Sequence, residues 1–542
     1  MISVFENWRN RALLVRGWRR VILLFLLGAF SVLALPPVHF ILALAPAFVG
    51  LIWLLDGSTR EGTENWGYYL KQFSCNSAFA TGWWFGLGFF AAGLYWISFS
   101  FLVDAQKFGW MIPIVIFVLS AFFAVYIGLV TFLSYNLSQP GLRRVLYIVV
   151  FWVIFEWVRS WLFTGFPWNL LGSVWTFNEA IMQFASVFGV LGLSLVTVGV
   201  ASAFSFLGYT DKSIRFKIMG LSLPLILLAI IWAGGSWRLL GVKTKFVDDV
   251  LLRLVQPNIL QKDKWKAQLR GKHLDNLLAL SSAPMKYGKS ERPTHIIWPE
   301  TATPFVLDRN NSALRVIAQI IPSNGALLTG SPRRTSINKA TTKLWNSLHI
   351  VGPDAKILAT YDKFHLVPFG EYVPFRKYLN NFLPLIKLTE GRVDFSSGPG
   401  QRTITVPGAP RVSPLICYEV IFSGAVTSSD KKDMPQPEWL LNITNDAWFG
   451  VSSGPYQHLA AAQLRAVEEG LPLVRVANTG ISAVIDGYGR IQKASNLNER
   501  TYIDAPLPMP LKTPTVFSKT KAAGVLLFVF LLIIFSRFRW FT

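Results

Sequence analysis

Long apolar runs in the first half of the chain constrain its fold more than any other feature of the sequence. A helix needs about 20 mostly apolar residues to cross the hydrocarbon core of a bilayer. Seven runs close to this length precede residue 236, and an eighth lies near the C-terminus. The runs cover 21–35, 40–55, 82–103, 111–134, 145–163, 183–206, 218–235 and 523–536. We therefore predict a polytopic α-helical membrane base of about eight spans.

The distribution of basic residues among the loops predicts the orientation of the spans in the membrane. The formal net charge is +22 at pH 7, and loops rich in Lys and Arg alternate with loops that are poor in them. Cytoplasmic loops of membrane proteins carry an excess of these residues. The loops and tail that are cytoplasmic by this rule contain Arg60 and Lys71, Arg143 and Arg144, Lys212, Arg215 and Lys217, and Arg537 and Arg539. Both termini are then cytoplasmic, and residues 236–520 lie on the outer face. No nucleic-acid-binding motif accompanies the charge, so we expect no nucleic-acid partner.

The stretch from 236 to 520 has the pattern of a separate globular domain. Apolar, strand-like segments alternate with polar, helix-capable ones, which favours an α/β layered fold. The strand-like segments are Leu251–Val255, His295–Trp298, Ala326–Thr329, His349–Val351, Val412–Ile416, Trp439–Ile443 and Val474–Val476. The proline-rich segment Pro506–Pro514 is typical of a linker. The predicted domains are therefore a membrane domain over 1–235, a catalytic domain over 236–520, and a last span with a short tail over 521–542.

Cys417 is the strongest candidate for a catalytic residue. It ends the strand-like segment Val412–Ile416, so that the backbone N–H of Tyr418 is expected to face an oxyanion. The alternative is an inert buried thiol, which is the usual state of a free cysteine. The second cysteine of the chain, Cys75, is expected on the opposite side of the membrane, which excludes a disulfide. We interpret Cys75 as structural.

Two upstream residues supply the groups that a catalytic thiol needs. A thiol needs a base to become a thiolate, and its acyl adduct needs a positive group beside the developing oxyanion. Glu300 closes an apolar strand behind Trp298-Pro299, and it is a candidate general base, with a helix cap or a surface acid as the alternatives. Lys363 precedes the apolar, proline-containing loop 364–374, which would shape a pocket around it. Glu419 is expected to hold Lys363, substrate or backbone in place.

Histidine chemistry is the weaker interpretation of the same region. His365 could pair with Cys417, but a Cys–His pair leaves the acid and the lysine unexplained. The six histidines of the chain show no spacing typical of metal ligands. We therefore predict no metal and no other cofactor.

These residues, in their local contexts, resemble a known family. Trp298-Pro299-Glu300, the run Lys363–Pro374 and Cys417-Tyr418-Glu419 look like the Glu–Lys–Cys triad motifs of the nitrilase superfamily. Joined to membrane spans, the chain resembles the apolipoprotein N-acyltransferase family over essentially its full length. Further segments that fit are Val255–Ile259, Glu156–Arg159, Thr164–Trp168 and Asn445–Gly450. The resemblance implies an αββα sandwich outside the membrane and an eight-helix base within it.

The resemblance also implies a role for each site residue. Glu300 would take the thiol proton, Cys417 would attack as the nucleophile, and Lys363 would stabilise the tetrahedral oxyanion. Glu371 resembles a fourth polar residue that orients the lysine. The residues expected around the substrate pocket are Trp265, Tyr418, Glu419 and Trp448. The alternative for these four is aromatic packing under a loop.

The function implied is acyl transfer between two lipid substrates. A fatty acyl chain would pass from a phospholipid, through a thioester on Cys417, to the free α-amino group of a lipoprotein's N-terminal diacylglyceryl-cysteine. The expected place is a bacterial inner membrane, with the catalytic domain on the periplasmic face. Two rivals are a membrane-anchored amidase that uses water as acceptor, and a transporter or lipid-binding protein with a non-catalytic outer domain. Glu156 and Arg159 are expected to pair with each other or to contact a lipid headgroup.

Overall fold

The chain folds into two compact units. The computed structural model describes residues 2–58, 77–285, 292–335, 343–374, 394–428 and 435–536. The first unit comprises Met1–Ser98, Trp110–Val242 and Thr515–Thr542, and the second comprises Phe99–Gly109 and Lys243–Pro514. The domain limits at 235 and 520 stay predictions. Residues named above that lie outside the described ranges are Arg60, Lys71, Cys75, Arg537 and Arg539.

The first unit is helical, because a helix satisfies backbone polar groups within an apolar segment. Its described α-helices are Ile2–Leu14, Gly17–Ser31, Leu44–Asp56, Ala78–Gly93, Ile112–Leu137, Leu142–Arg159, Glu179–Met182, Ala185–Ala203, Ile214–Leu239, Val516–Thr520 and Ala522–Ser536. Short 3₁₀ turns lie at Val32–Ala34, Ile41–Ala43, Tyr95–Ile97, Leu162–Thr164, Leu171–Trp175 and Phe204–Gly208.

Four helical segments of the described chain are long and apolar enough to cross a membrane. They are Gly17–Ala34, Ala105–Leu137, Ala185–Gly208 and Ile214–Leu239. A fifth arises if the pair Ala78–Gly93 and Tyr95–Leu102, bent by 47°, counts as one span. The structure therefore supports four to five spans.

The other three predicted spans are helices with weaker membrane character. Ile41–Asp56 and Ala522–Ser536 are apolar but have only 10–17 residues. Leu142–Arg159 carries Arg143, Arg144, Glu156 and Arg159 within its 18 residues. The expectation of about eight spans thus stays a prediction for these three segments.

Glycines allow the helix Gly17–Ser31 to approach the helix Ala78–Gly93 closely. A Cβ atom at Gly28 would collide with the carbonyl oxygen of Phe85, and one at Gly88 would collide with that of Phe25. Contacts through small residues are typical of packed membrane helices.

Buried charges of the first unit lie among opposite charges and hydrogen-bond partners. Asp56 accepts from Arg9 at 3.1 Å, from Arg144 at 3.0 Å and from the Tyr209 hydroxyl at 3.0 Å. These bonds join the N-terminal helix to three later segments. Ionisable groups in apolar surroundings are costly unless they are compensated in this way.

Glu156 and Arg159, which the sequence predicted to pair, interact electrostatically. Each also binds backbone groups. Glu156 Oε1 accepts from the Leu171 N–H at 3.0 Å, and Arg159 Nη1 donates to the Trp168 carbonyl at 2.7 Å. Their contacts with the segment that follows the helix Leu142–Arg159 favour a structural role.

The second unit is built on two six-stranded sheets within the described residues. The strands are β1 (Phe246–Gln256), β2 (His295–Ile297), β3 (Ala326–Arg334), β4 (Leu344–Val351), β5 (Ile357–Asp362), β6 (Ile404–Val406), β7 (Ala409–Ile416), β8 (Trp439–Thr444), β9 (Leu473–Ala477), β10 (Ala483–Ile485), β11 (Ile491–Ala494) and β12 (Thr501–Pro508). Their order is β12-β1-β2-β3-β4-β5 in one sheet and β11-β10-β9-β8-β7-β6 in the other. Strands β1 to β3 are parallel, as are β7 to β9, and the outer pairs are antiparallel.

The two sheets pack face to face and carry helices on their outer sides. Leu252 and Leu254 of β1 share one core with Ile416 of β7, whereas Val255 packs on the opposite face with Leu277 of an outer helix. This alternation follows the two-residue period of a strand. The helices of this unit are Ser98–Leu102, Ala105–Phe108, Gln261–Lys264, Arg270–Ser281, Asn311–Ala318 and Gly454–Glu469. The predicted αββα sandwich is confirmed.

All seven strand-like segments identified in the sequence lie in strands, although His295–Trp298 runs one residue beyond β2. The linker prediction for Pro506–Pro514 is wrong at its start, because β12 continues to Pro508. Strand β12 lies at the edge of its sheet. A proline is tolerated there because its missing N–H costs no ladder bond on the outer side.

Candidate active site

The three residues of the predicted triad lie just beyond the ends of three strands. Glu300 lies three residues beyond β2, Lys363 directly follows β5, and Cys417 directly follows β7. All three are nearly buried, with 6%, 1% and 8% of their surface exposed. Cys417 has a φ of 52°, in the left-handed region that a non-glycine residue rarely adopts. Such a conformation persists only where the surroundings enforce it.

Lys363 lies between two carboxylates. Its Nζ is 2.8 Å from Glu371 Oε2 and 3.9 Å from Glu300 Oε1. The N–H of Val367 donates to Glu371 Oε2 at 2.9 Å and so fixes that carboxylate. The shorter contact makes Glu371 the principal partner of the lysine.

Asn346, which the sequence analysis did not identify, joins the two carboxylates. Its Nδ2 donates to Glu300 Oε1 at 2.7 Å and to Glu371 Oε1 at 3.0 Å. Its carbonyl accepts from the Lys363 N–H at 2.9 Å. No local motif marks this residue. Only the antiparallel register of β4 and β5 brings it beside the lysine.

The balance of burial and charge sets the resting state of the lysine and the thiol. Burial lowers the pKa of Lys363, but attraction to Glu371 and Glu300 outweighs it, so the pKa is raised overall. Burial and the negative charge of Glu300 raise the pKa of Cys417 far above its usual range, although Lys363 opposes them. The resting site therefore holds a cationic lysine and a neutral thiol. Attack by the sulfur then requires a base, and Glu300 interacts electrostatically with both groups.

Glu419 ties the loop after β5 to the end of β7. Its Oε1 accepts from the N–H groups of Phe364 at 2.9 Å and His365 at 3.2 Å, and its Oε2 accepts from the Ile416 N–H at 2.7 Å. Burial raises the pKa of Glu419 to about 7 in spite of these donors. Of the three tasks expected for this residue, the contacts favour holding backbone in place.

A buried network supports the backbone of Cys417. His458 Nε2 lies 3.2 Å from the Cys417 carbonyl oxygen, and Asn442 Nδ2 donates to the same oxygen at 3.3 Å. Asp446 Oδ1 lies 3.0 Å from His458 Nδ1, and Arg475 donates to Asp446 Oδ2 at 2.6 Å and to Asn442 Oδ1. The strained residue is thus held through its carbonyl by two side chains that Asp446 and Arg475 orient.

The charges of this network favour an ionised aspartate. Burial opposes ionisation of Asp446, but Arg475 and His458 outweigh it and hold the pKa of the carboxyl below its usual range. Burial and Arg475 lower the pKa of His458. Asp446 falls in the matching segment Asn445–Gly450, but nothing local in the sequence pointed to His458 or Arg475.

Three aromatic rings form a group that begins at Tyr418, the residue after Cys417. Tyr418 and His365 both contact Phe422, at centroid distances of 5.1 and 3.8 Å, with His365 stacked on the ring. His458 is the histidine that reaches the Cys417 backbone, whereas His365, the weaker alternative as a partner of Cys417, belongs to this aromatic group. A substrate-binding role for Tyr418 stays a prediction.

Trp265 and Trp448 are both half-buried. Trp265 directly follows the helix Gln261–Lys264, and the carbonyl of Trp448 accepts from the Ser100 hydroxyl at 2.9 Å. Their roles around a pocket stay predictions. Among the described residues, no group of three or more His, Cys, Asp or Glu side chains is placed to hold a metal ion.

Solved structures match about half of the chain. A carbon–nitrogen hydrolase superfamily protein from Xanthomonas campestris is 19% identical, with a TM-score of 0.34, and covers 52% of this chain and 97% of its own. An amidase of the nitrilase superfamily from Nesterenkonia is 14% identical, with a TM-score of 0.35, and covers 52% of this chain and 98% of its own.

Family models and relatives cover nearly the whole chain. The apolipoprotein N-acyltransferase N-terminal domain matches residues 27–203, and carbon–nitrogen hydrolase matches residues 251–515. An apolipoprotein N-acyltransferase from Rhodopseudomonas palustris is 38% identical and covers 99% of this chain and 98% of its own. One from Rhizobium rhizogenes is 38% identical and covers 93% and 92%. The chain therefore belongs to the apolipoprotein N-acyltransferase family.

Proposed function

We propose that this enzyme transfers a fatty acyl chain from a membrane phospholipid, through a thioester on Cys417, to the N-terminal diacylglyceryl-cysteine of lipoproteins. The observation that carries the proposal is the buried set of a neutral thiol, a carboxylate and a cation at Cys417, Glu300 and Lys363. Full-length relatives that carry the name of this activity support it. Two lipid substrates also explain why such a domain is joined to apolar helices.

We place the enzyme in a bacterial inner membrane with its catalytic domain on the periplasmic face. The support is the asymmetry of basic loops, since Arg143, Arg144 and the cluster Lys212–Lys217 fall on the side assigned to the cytoplasm. On this arrangement residues 236–520 face outward, where we expect the lipoprotein N-termini.

The first half-reaction loads the enzyme. Glu300 takes the proton of the Cys417 thiol, and the sulfur attacks the carbonyl carbon of a phospholipid ester. The carbonyl electrons move onto oxygen, where Lys363 Nζ and the Tyr418 N–H stabilise the negative charge. Collapse of this intermediate breaks the C–O bond, and Glu300 returns the proton to the departing glycerol oxygen. A lysophospholipid leaves, and the acyl chain stays on Cys417 as a thioester.

The second half-reaction transfers the acyl chain from Cys417 to the acceptor amine. The α-amino group of the acceptor has a reference pKa of about 8, so an appreciable fraction is neutral near pH 7. Glu300 removes a proton from the nitrogen as it attacks the thioester, and Lys363 again faces the oxyanion. The C–S bond breaks, the proton passes to sulfur, and the products are an amide and the free Cys417 thiol.

The carboxylates of Glu300 and Glu371 have different closest partners and therefore different roles. Glu371 binds the lysine at 2.8 Å, whereas Glu300 stays at 3.9 Å from it and is held by Asn346. A carboxylate engaged mainly by an amide is better placed to accept a proton than one paired closely to a cation. We also propose that Trp265, Tyr418 and Trp448 border the acyl substrate; for Glu419 the three backbone bonds favour a positioning role.

Mass spectrometry of the intact protein tests the proposal. The wild type and Cys417→Ala are incubated with phospholipid in detergent, and then with a diacylglyceryl-cysteine peptide. We expect a fatty-acyl adduct that maps to Cys417, is absent from the variant and is discharged onto the peptide amine. Glu300→Gln and Lys363→Met should form little adduct.

Two other outcomes would favour a different function. An adduct that is lost only to water would favour the membrane-anchored amidase, which uses the same residues with water as acceptor. A folded wild-type protein that forms no adduct would contradict the catalytic proposal and return attention to a lipid-binding function.

A further inference from the structure

A second lysine lies at the proposed active site. Lys264 ends the helix Gln261–Lys264 and is only 2% exposed. Its Nζ donates to the carbonyl oxygen of Glu300 at 3.0 Å. It also interacts electrostatically with Glu300 and with Cys417. Lysines are almost never fully buried unless they are paired, so this burial calls for an explanation.

We propose that Lys264 is a positioning residue of the acyl transfer reaction, which fixes the backbone of Glu300 and adds a second positive charge that favours the Cys417 thiolate. The inference rests on the function proposed above and adds to it. It assigns Lys264 no contact with substrate.

The backbone around Glu300 needs external support. Glu300 lies between Pro299 and Thr301, and Thr301 has a φ of 44°, in the left-handed region. Gly330 packs directly below, where a Cβ would lie 2.7 Å from Glu300 Cα. A hydrogen bond from a buried ammonium to a carbonyl is stronger than one between neutral groups. Lys264 therefore holds the peptide that sets the direction of the Glu300 side chain.

The charge of Lys264 also matters to the thiol. The groups whose charges most affect the pKa of Cys417 are Glu300, Lys363 and Asp446, and two of these three are acidic. Both acids disfavour a thiolate. Lys264 is a second cation on the opposing side of this balance. Burial lowers the pKa of Lys264 to about 8, with Glu300 and Cys417 acting against burial. The lysine is thus mostly charged at pH 7 and loses its charge above pH 8.

Alkylation of Cys417 tests the inference without any lipid substrate. Wild type, Lys264→Met and Lys264→Gln are treated with iodoacetamide from pH 6 to 10, and the rate at Cys417 is read by mass spectrometry. Lys264→Gln keeps a donor but no charge. Lys262→Met is the matched control, because Lys262 lies on the same turn and is exposed. Thermal unfolding and acyl-adduct formation are measured on each protein.

We expect the wild-type rate to rise with pH and to flatten near pH 8, as the Lys264 charge is lost. Lys264→Met should lack this break and react at least ~10-fold more slowly below it, the change that one pKa unit of the thiol produces. Glu419, whose pKa is about 7, and His458 titrate in all the variants, so their effects cancel in the comparison. Lys264→Gln should show the same loss of the break with a smaller loss of acylation. Lys262→Met should match the wild type.

Three results would overturn the inference. One is a Lys264→Met protein with the wild-type pH profile and acylation rate. Another is an altered Lys262→Met profile, which would make the effect non-specific. The third is failure of both Lys264 variants to fold, which would assign the residue to structure alone. A wild-type protein that alkylates with the break but forms no acyl adduct would contradict the proposed function and leave the assignment of Lys264 to the thiol intact.

Discussion

Replacing Glu371 by glutamine removes the closest partner of the buried lysine. The carboxylate lies 2.8 Å from Lys363 Nζ, and it also accepts from Val367 and Asn346. Glutamine has the same shape but no charge, and it offers only one acceptor oxygen to these three donors. One donor must therefore face the glutamine NH₂ group. Glu300, at 3.9 Å, becomes the nearest remaining counter-charge in this ion-pair cluster.

Two magnitudes follow from this geometry. Removing one partner of a buried ion pair costs about 3–5 kcal/mol of stability, since the other charge stays buried without full compensation. The pKa of Lys363 should fall, because burial lowers it and Glu371 is the strongest of the groups that raise it. In the wild type the pKa is raised above its unfolded value. The stability from this pairing is then fully present below about pH 10.4 and is lost only as pH rises through the folded pKa.

The assay is the rate of thioester formation between pH 6 and 9.5, together with the melting temperature in detergent. Wild-type acylation should not decline between pH 6 and 9.5 through loss of the Lys363 charge, and the effect of Lys264 above pH 8 is common to the wild type and the Glu371 variants. Glu371→Gln should decline toward alkaline pH, and once Lys363 is neutral the loss should reach about 10²–10³-fold, as for a lost oxyanion donor. Glu371→Asp, which keeps the charge, should fall between them.

Glu438→Gln is the control, since that carboxylate is exposed and lies 3.8 Å from Arg411 in an ion pair worth about 0–1 kcal/mol. A Glu371→Gln protein with wild-type melting temperature and no alkaline decline would refute the pairing on which the mechanism depends.

Three further changes test other parts of the site. The pKa of Glu419 rises from 4.5 to about 7 on folding. Protonation of Glu419 therefore contributes ~3 kcal/mol to the free energy of unfolding below pH 4.5, and this contribution is lost as pH rises through 7. In Glu419→Gln the melting temperature should depend less on pH between pH 5 and 8. Gly330→Ala puts a Cβ 2.7 Å from Glu300 Cα and should slow thioester formation about 10²-fold by displacing the base. His458→Ala leaves the Cys417 carbonyl short of a partner and should cost about 1–3 kcal/mol in chemical unfolding while slowing iodoacetamide labelling.

The sequence predicted those site residues that end strands. Glu300, Lys363 and Cys417 each follow an apolar segment that a reader can recognise without a structure, and each carries side-chain chemistry that is uncommon in such a place. Asn346 lacks both signals. It lies inside β4 rather than at a strand end, and its amide is neither an acid, a base nor a nucleophile. Its role depends on the register of β4 and β5, which is a property of the folded sheet.

The membrane spans show a different limit of the sequence. Apolar length predicts a helix well, and every predicted run of the described chain overlaps one or more helices. Whether a helix crosses a bilayer also depends on its charge and length. Leu142–Arg159 has a buried Arg144 bound to Asp56 and a buried Glu156 bound to Leu171. Such charges are tolerated where neighbouring helices compensate them, and the sequence of one segment does not show its neighbours.

The left-handed turn at Cys417 explains how the carboxylate of Glu419 binds both the end of β7 and the segment after β5. Extended strand β7 ends at Ile416, and the turn at Cys417 reverses the chain into the 3₁₀ turn Cys417–Ile421. That reversal returns Glu419 to the Ile416 N–H at 2.7 Å, from where its other oxygen reaches the Phe364 N–H beside Lys363. A left-handed non-glycine residue costs about 1–3 kcal/mol, and the surrounding hydrogen bonds must offset it. The same hydrogen bonds of Glu419 that stabilise the strained backbone at Cys417 therefore also set the distance between Cys417 and Lys363. A change at Glu419 should move both Cys417 and Lys363 and slow both half-reactions, whereas a change at Glu371 acts on Lys363 directly and on Glu300 through Asn346.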